Sequence, residues 1–377
     1  MKRILLVTTS YPDRGEGEAA AGMFVRDFAL ALQAEGAEVH VVAPAIAASQ
    51  TLESELFVAR FAAPKLPLSL LNPTHPTDWP SILNTLAAGQ HAVMKACDSF
   101  KPDHILALWA LPSGAWAEKA GKRYAIPYST WALGSDIWSL GKIPLIRQYL
   151  GHIMRQADHR FADGIQLSRD VTDLSGEDCS FLPSSRSFGP PISRQLSTKP
   201  PYRMAFLGRW HANKGVDILL EVLETLAPED WENISAIRIN GGGPLEVDVA
   251  HRCRNLQEAG FPLEIGGYLD LQGARELFEW TDFIVIPSRI ESIPVVFSDA
   301  MQASRPVIAS PVGDLPHLIQ TYGCGLLAEH PNASSLLTAI RKALTTTPQK
   351  FGSGIKLAAA EFSIGTTAQH FLEVIAS

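Results

Sequence analysis

The stretch that most constrains this chain runs from Pro287 to Pro311, PSRIESIPVVFSDAMQASRPVIASP. An all-apolar run, Phe283-Ile284-Val285-Ile286, stops at Pro287. A strand buried on both faces of a parallel sheet has this look. A loop over Ser288 to Ile293 follows. Pro294 suits the first turn of a helix, where its missing N–H is no loss. Val295 to Ser304 continue that helix, Arg305-Pro306 ends it, and Val307-Ile308-Ala309 reads as the next strand. The pattern predicts a β-loop-α-β unit with two acids, Glu291 and Asp299, in its loop-helix segment.

The first N–H groups of a helix have no partner inside it, and the helix dipole adds partial positive charge there. In an open parallel sheet this is also where ligands bind, beyond the carboxyl ends of the strands. A diphosphate fits such an end. Glu291 before the helix and Asp299 in its second turn would then meet hydroxyls on either side of the phosphates. A sugar nucleotide has that layout. Ser292, Ile293, Pro294 and Val295, which span the helix start, are donor-binding candidates.

These residues resemble the signature of the glycosyltransferase family 4 enzymes: Pro-Ser, two residues, Glu-Gly-x-Pro, then Glu-Ala-Met. Here the matching residues are Pro287-Ser288, Glu291-Ser292-Ile293-Pro294 and Asp299-Ala300-Met301. Ser292 replaces the usual Gly and Asp299 the second Glu. The resemblance implies that Glu291 contacts the transferred sugar and Asp299 the ribose.

With 377 residues the chain is long enough for two domains with separate cores. The net charge of −7 argues against a general nucleic-acid binder. Cys97, Cys179, Cys253 and Cys324 are far apart, with no CxxC or Cys/His cluster. A zinc site is not expected, and a cytoplasmic, reducing location is the simplest home. The opening MKRILLVTTSYPD reads as a first strand rather than a signal peptide, and no apolar run approaches a membrane span.

Ile4 to Val7 predicts a strand, Met23 to Glu35 a helix closed by Gly36, and Val39 to Val42 a second strand. Between them, Gly15-Glu16-Gly17-Glu18-Ala19-Ala20 matches the dinucleotide pattern G-x-G-x-x-A. The long loop, the nearby acids Asp13, Glu16 and Glu18, and the lack of an acid after the second strand speak against that reading. Gly22, just ahead of the helix, is the alternative point of backbone approach. By resemblance it stands for the family's glycine near the donor phosphates.

Residues 61 to 80 are rich in proline and leucine, so neither a regular helix nor a central strand is expected. Leu66, Leu68, Leu70, Leu71 and Trp79 would pack as an irregular loop, line an acceptor site or touch lipid. A strand over Ile126 to Ala132 runs into Leu133-Gly134-Ser135-Asp136. The family usually has His-Gly-x-Asp here, with the His near the sugar, so Leu133 removes that imidazole. Gly134 still permits close approach. Asp136 is either a donor-side residue or a cap for the following helix. Lys142 to Arg155 predicts an amphipathic basic helix packed on the sheet, with a peripheral membrane contact as the alternative. Residues 183 to 201, rich in proline and serine, have a linker composition.

In the second half, the strand over Met204 to Leu207 leads into Gly208-Arg209-Trp210-His211-Ala212-Asn213-Lys214-Gly215. The order of glycine and lysine rules out a Walker P-loop. The family's Gly-Arg…Lys-Gly motif grips the donor diphosphate, which by resemblance assigns that task to Arg209 and Lys214. Fixed cations aimed at a departing diphosphate stabilise the transition state more than the ground state. Asn240-Gly241-Gly242-Gly243-Pro244 is similar to the family's nucleoside-end Gly-x-Gly-Pro, and Gly266-Gly267-Tyr268 to the segment bordering the base.

The expected fold is α/β: two doubly wound Rossmann-like domains facing each other across a cleft, the GT-B arrangement. Residues 1-190 would form the acceptor-side domain, joined by a C-terminal helix over 360-377, and residues 200-359 the donor-binding domain. The expected activity is metal-independent, retaining transfer from a nucleotide-sugar donor to a glycan or lipid-linked acceptor. No cofactor, metal or nucleic acid is expected, and Glu291, Arg209 and Lys214 would carry the chemistry. Two other classes stay open. Leu133, Ser292 and Asp299 suggest a nucleotide-sugar-binding chain that has lost turnover, and a sugar-nucleotide epimerase shares the fold.

Overall fold

Short runs of aliphatic residues with no polar face suit interior strands, and the chain has two sets of them. The computed structural model describes residues 1–12, 22–53, 55–190 and 192–376. It divides into one unit of Met1–Arg186 with Ile364–Ser377 and a second of Ser187–Ser363.

The strands of the first unit are β1 (Arg3–Val7), β2 (Glu38–Ala45), β3 (Ser49–Glu53), β4 (Leu56–Ala62), β5 (His104–Leu108), β6 (Tyr128–Ala132), β7 (His159–Ala162) and β8 (Ser180–Phe181). They form one sheet in the order β3-β4-β2-β1-β5-β6-β7-β8. All neighbours are parallel except β3 and β4, an antiparallel pair that the sequence reading did not anticipate. Residues 13–21, which include Asp13, Glu16, Glu18 and the G-x-G-x-x-A match, lie outside the described residues.

The last twenty residues do not form the single helix expected. They take in only the end of the helix Gly352–Glu361 and then the helix Ile364–Val374, separated at Phe362-Ser363. The latter belongs to the first unit, where Phe371 meets the ring of Phe28 edge-on at 5.8 Å.

The proline-rich segment before the helix Trp79–Phe100 contains two short 3-10 turns. Leu66 and Leu68 pack against the core, whereas Leu70 and Trp79 are exposed. The basic helix is Pro144–Gln156. It buries Leu150, Ile153 and Met154 and leaves Leu145 and Tyr149 exposed. Among the described residues no helix is long and apolar enough to cross a membrane.

The second unit contains β9 (Tyr202–Arg209), β10 (Ile234–Gly242), β11 (Leu263–Gly266), β12 (Phe283–Ile286), β13 (Val307–Ala309) and β14 (Gly325–Leu327). They form an all-parallel sheet in the order β11-β10-β9-β12-β13-β14. The strand order reverses between β9 and β12, and a crevice at such a switch point is the binding place of open α/β sheets. The Arg209–Lys214 loop follows β9 and the Glu291 loop follows β12.

The proline- and serine-rich stretch is anchored to the second unit. Phe188 is buried, and Arg194 donates to Asp282 Oδ1 at 3.0 Å. Asp282, fully buried, also accepts from the backbone N–H groups of Ser197 at 2.9 Å and Arg203 at 3.0 Å. A buried carboxylate with several donors is the form in which such a charge is tolerated.

Candidate active site

The switch point of the second sheet brings Lys214 and Glu291 together. Lys214 Nζ donates to Glu291 Oε1, and the Ser288 hydroxyl donates to the same oxygen at 3.0 Å. The Glu291 side chain is largely buried and that of Lys214 more than a third exposed. Arg209, at the end of β9, is exposed, and its guanidinium makes no hydrogen bond among the described residues.

Two glycines make this approach feasible. Gly215 has φ +69°, and a Cβ there would stand 1.9 Å from the Pro287 carbonyl oxygen. Gly313 has φ +55°, and a Cβ there would stand 2.3 Å from the carbonyl oxygens of Glu291 and Ser292. The Asp314 N–H donates to Ser292 O at 3.1 Å, which supports the Glu291 loop from below. The Ser292 hydroxyl is buried and has no partner among the described residues.

Pro294 is the N-cap of the helix Val295–Gln302, one residue earlier than its expected place inside the first turn. Its carbonyl accepts the Phe297 N–H at 2.8 Å. Val295 is 46% exposed, so the unpaired N–H end of this helix opens to solvent beside Ile293. Asp299 is only 1% exposed. It is packed within the helix and is not part of the accessible surface on which a ribose contact was expected.

The loops after β9 and β10 interlock through Trp210. Its N–H donates to Gly242 O at 2.7 Å and its carbonyl accepts from Leu245 at 3.0 Å. A Cβ on Gly241 would stand 2.0 Å from Gly208 O, and one on Gly243 2.9 Å from Trp210 O. The Tyr268 hydroxyl donates to Gly242 O at 2.7 Å while the residue stays 68% exposed. A cavity of about 240 Å³ opens between β10, β11 and the helix Leu271–Trp280, lined by Asn240, Gly266 and Leu269 among others. Neither Lys214 nor Glu291 lines it.

In the first unit, Gly22 caps the helix Met23–Ala34 with φ +87°. A Cβ there would meet the backbone of Ser10 and Tyr11 at 2.8 Å, so the close neighbour is the chain itself. Gly134 has φ +94° and packs against the Trp138 ring. Asp136 is 1% exposed and fully engaged. Its carboxylate accepts from Ala110 N at 2.7 Å and from Leu133 N and Ile137 N at 3.2 Å each. Burial pushes its pKa up, and these N–H groups pull only part of the way back. It is an anchor for two loops rather than a ligand-facing acid. Leu133, in place of the imidazole, packs against the apolar cluster that includes Trp131 and Trp109.

Sequence reasoning missed Arg289 and Asp217. Arg289 Nη1 and Nη2 meet the Asp217 carboxylate at 2.8 and 2.7 Å, and Nη1 also donates to Ala212 O at 2.7 Å. An opposite pair of charges flanking the two loops was the available signal.

Residues 201–346 match the glycosyl transferases group 1 family. A Bacillus subtilis protein named as a teichuronic acid biosynthesis glycosyltransferase, TuaC, is 26% identical over 279 residues, covering 70% of this chain and 67% of that protein. A D-inositol 3-phosphate glycosyltransferase of Corynebacterium aurimucosum is 26% identical over 154 residues, covering 40% of this chain and 37% of that protein. Among solved structures, sucrose-phosphate synthase from Thermosynechococcus elongatus superposes with a TM-score of 0.73 at 19% identity, covering 100% of this chain and 98% of that one. HepE of Anabaena, in complex with UDP, gives 0.72 at 15% identity over 100% of both chains. The fold is that of the GT-B class, and the family match is to glycosyl transferases. The match to the glycosyl transferases group 1 family falls within the second unit.

Proposed function

We propose that the second unit binds a uridine diphosphate sugar and that the chain transfers the sugar, with retention, to a hydroxyl of a saccharide or lipid-linked saccharide. The observation that carries this reading is the meeting of Lys214 and Glu291 at the switch point, beside the open amino end of the helix Val295–Gln302. The diphosphate lies at that end, held by Lys214 and Arg209, and Glu291 accepts from hydroxyls of the sugar. The nucleoside lies toward Gly241, Gly243 and Tyr268.

As the bond between the anomeric carbon and the β-phosphate oxygen breaks, charge grows on the phosphate that the two cations face. The acceptor oxygen bonds to the anomeric carbon on the same face and passes its proton to the departing phosphate oxygen. Arg209 and Lys214 supply the countercharge that a divalent ion supplies elsewhere, so we assign no metal to the reaction. The choice of uridine is supported by HepE, seen with UDP and with UDP-glucose. An acceptor in cell-envelope polysaccharide synthesis is supported by the name of TuaC.

The test is a thermal-shift and turnover screen against UDP-, ADP- and GDP-hexoses with mixed saccharide acceptors, followed by anomer analysis of the product. Specific ligands raise stability in step with their affinity. UDP stabilisation and an α-linked product from an α-linked donor are expected. Binding without release of sugar would instead identify a non-catalytic binding chain, consistent with Leu133. Return of a changed nucleotide sugar would identify an epimerase.

A further inference from the structure

The ladder between β9 and β12 ends early. It pairs Met204 with Phe283 and Ala205 with Ile284, and no later residues. Beyond that point β9 continues alongside β10 as far as Arg209, and β12 departs toward β13. The backbone ladder therefore does not hold the tips of the two loops that carry Lys214 and Glu291. Arg289 closes this gap. Its backbone N–H donates to Asn213 O at 2.8 Å, and its guanidinium grips Ala212 O and both oxygens of Asp217. Asp217 stands in the first turn of the helix Val216–Thr225, immediately after the lysine loop. The bidentate fork fixes orientation as well as distance.

We propose that Arg289 and Asp217 are positioning residues for sugar transfer, a staple between the two loops that sets Lys214 against Glu291. The inference rests on the reading of these two side chains as the donor-phosphate and donor-sugar contacts. The staple's side chains are 37% and 29% exposed. Exposed ion pairs add little to global stability. A slack of about 1 Å at a reacting centre, by contrast, costs on the order of a hundredfold in rate. Positioning and folding therefore separate experimentally.

The experiment compares wild type with Arg289→Met, Arg289→Lys, Asp217→Asn and the Arg289→Met/Asp217→Asn double variant. The readouts are kcat and KM with UDP-glucose, or the hexose nucleotide preferred in the screen, together with UDP affinity and melting temperature. Arg289→Met and Asp217→Asn should each lower kcat by about 10- to 100-fold, with melting temperature within about 4 °C of wild type. The double variant should be no worse than either single one, because both remove the same staple. Arg289→Lys, which keeps the charge but not the fork, should lose less than Arg289→Met. Rates within twofold of wild type in both single variants overturn the proposal, as do losses that multiply in the double variant. A fall in rate matched by a fall in folded fraction, with normal kcat per folded molecule, also overturns it. If wild type itself neither binds UDP nor turns over any hexose nucleotide, the functional reading fails and takes the staple's role with it. That outcome is distinct from an active wild type with indifferent variants.

Discussion

Gly215 lies directly beneath Pro287, so close that a Cβ on it would stand 1.9 Å from the Pro287 carbonyl oxygen. One residue on either side of this contact leads to the two loops of the candidate site. Gly215 also has φ +69°, a conformation that costs an L side chain about 1 kcal/mol or more. Gly215→Ala should therefore separate the loops, lowering stability by about 2 kcal/mol or more and transfer rate by more than tenfold. Denaturant unfolding and kcat measured together check this; a variant with wild-type values in both would show that the approach is dispensable.

Lys214 and Glu291 share one hydrogen bond, and both are proposed to touch the donor. Lys214→Met should lower kcat by about 100- to 1,000-fold, the size seen when one stabilising donor is lost from a transition state. Glu291→Gln keeps the shape and loses the charge, and should reduce turnover by a similar order. Groups that act as a unit are non-additive. The double variant should thus lie close to the worse single one, and a product of the two losses would indicate independent roles.

The centre of the second sheet was readable because its strands have no polar face. Phe283 to Ile286 and Val307 to Ala309 have the short, all-apolar look of strands buried in a parallel sheet, and both are buried there. Glu291 and Lys214 were readable from their loop-helix settings, but their mutual bond was not, because a contact across a separation of 77 residues leaves no local trace. The same holds for the Pro183–Pro201 stretch. Its composition suggests a tether, yet Arg194 is held by Asp282, a partner 88 residues away. The β3–β4 pair escaped notice for a different reason. Ser49–Glu53 is half-exposed and polar, so it lacks the apolar alternation by which an edge strand is recognised. Local spacing leaves Asp136 as either cap or ligand contact, because it does not reveal that Ala110 supplies a third donor.

That third donor gives Asp136 a measurable role. Its carboxylate joins the turn at Leu133–Ile137 to the N–H that follows Trp109, a non-glycine residue with φ +62°. An amide at this position has one acceptor oxygen where the carboxylate has two, so Asp136→Asn leaves at least one buried N–H without a partner. The expected cost is about 1–3 kcal/mol of stability. Chemical denaturation at pH 7 measures it, and an unchanged midpoint would mean that the two loops hold their form without the carboxylate.

His104 should make the first unit sensitive to acid. It is 2% exposed, its Nε2 lies 2.7 Å from the Ser129 hydroxyl, and the ring of Phe371 covers it at 6.0 Å. Burial pushes its imidazole down to about 3, and Lys2 and His159 push in the same direction. In the unfolded chain the imidazole takes up a proton near pH ~6.5. Below that pH the unfolded state binds a proton that the folded state refuses, so stability falls as pH falls, until the folded group also titrates near 3. For this one group the slope approaches about 1.4 kcal/mol per pH unit. His104→Gln keeps a hydrogen-bonding side chain and removes the titration. The stability of wild type minus that of His104→Gln, measured by denaturant from pH 8 to pH 4, cancels the other acids. It should be flat above about pH 7 and decline steadily below about pH 6. A difference that stays constant across the whole range would mean that His104 accepts its proton in the folded state as readily as in water, and that its burial carries no electrostatic cost.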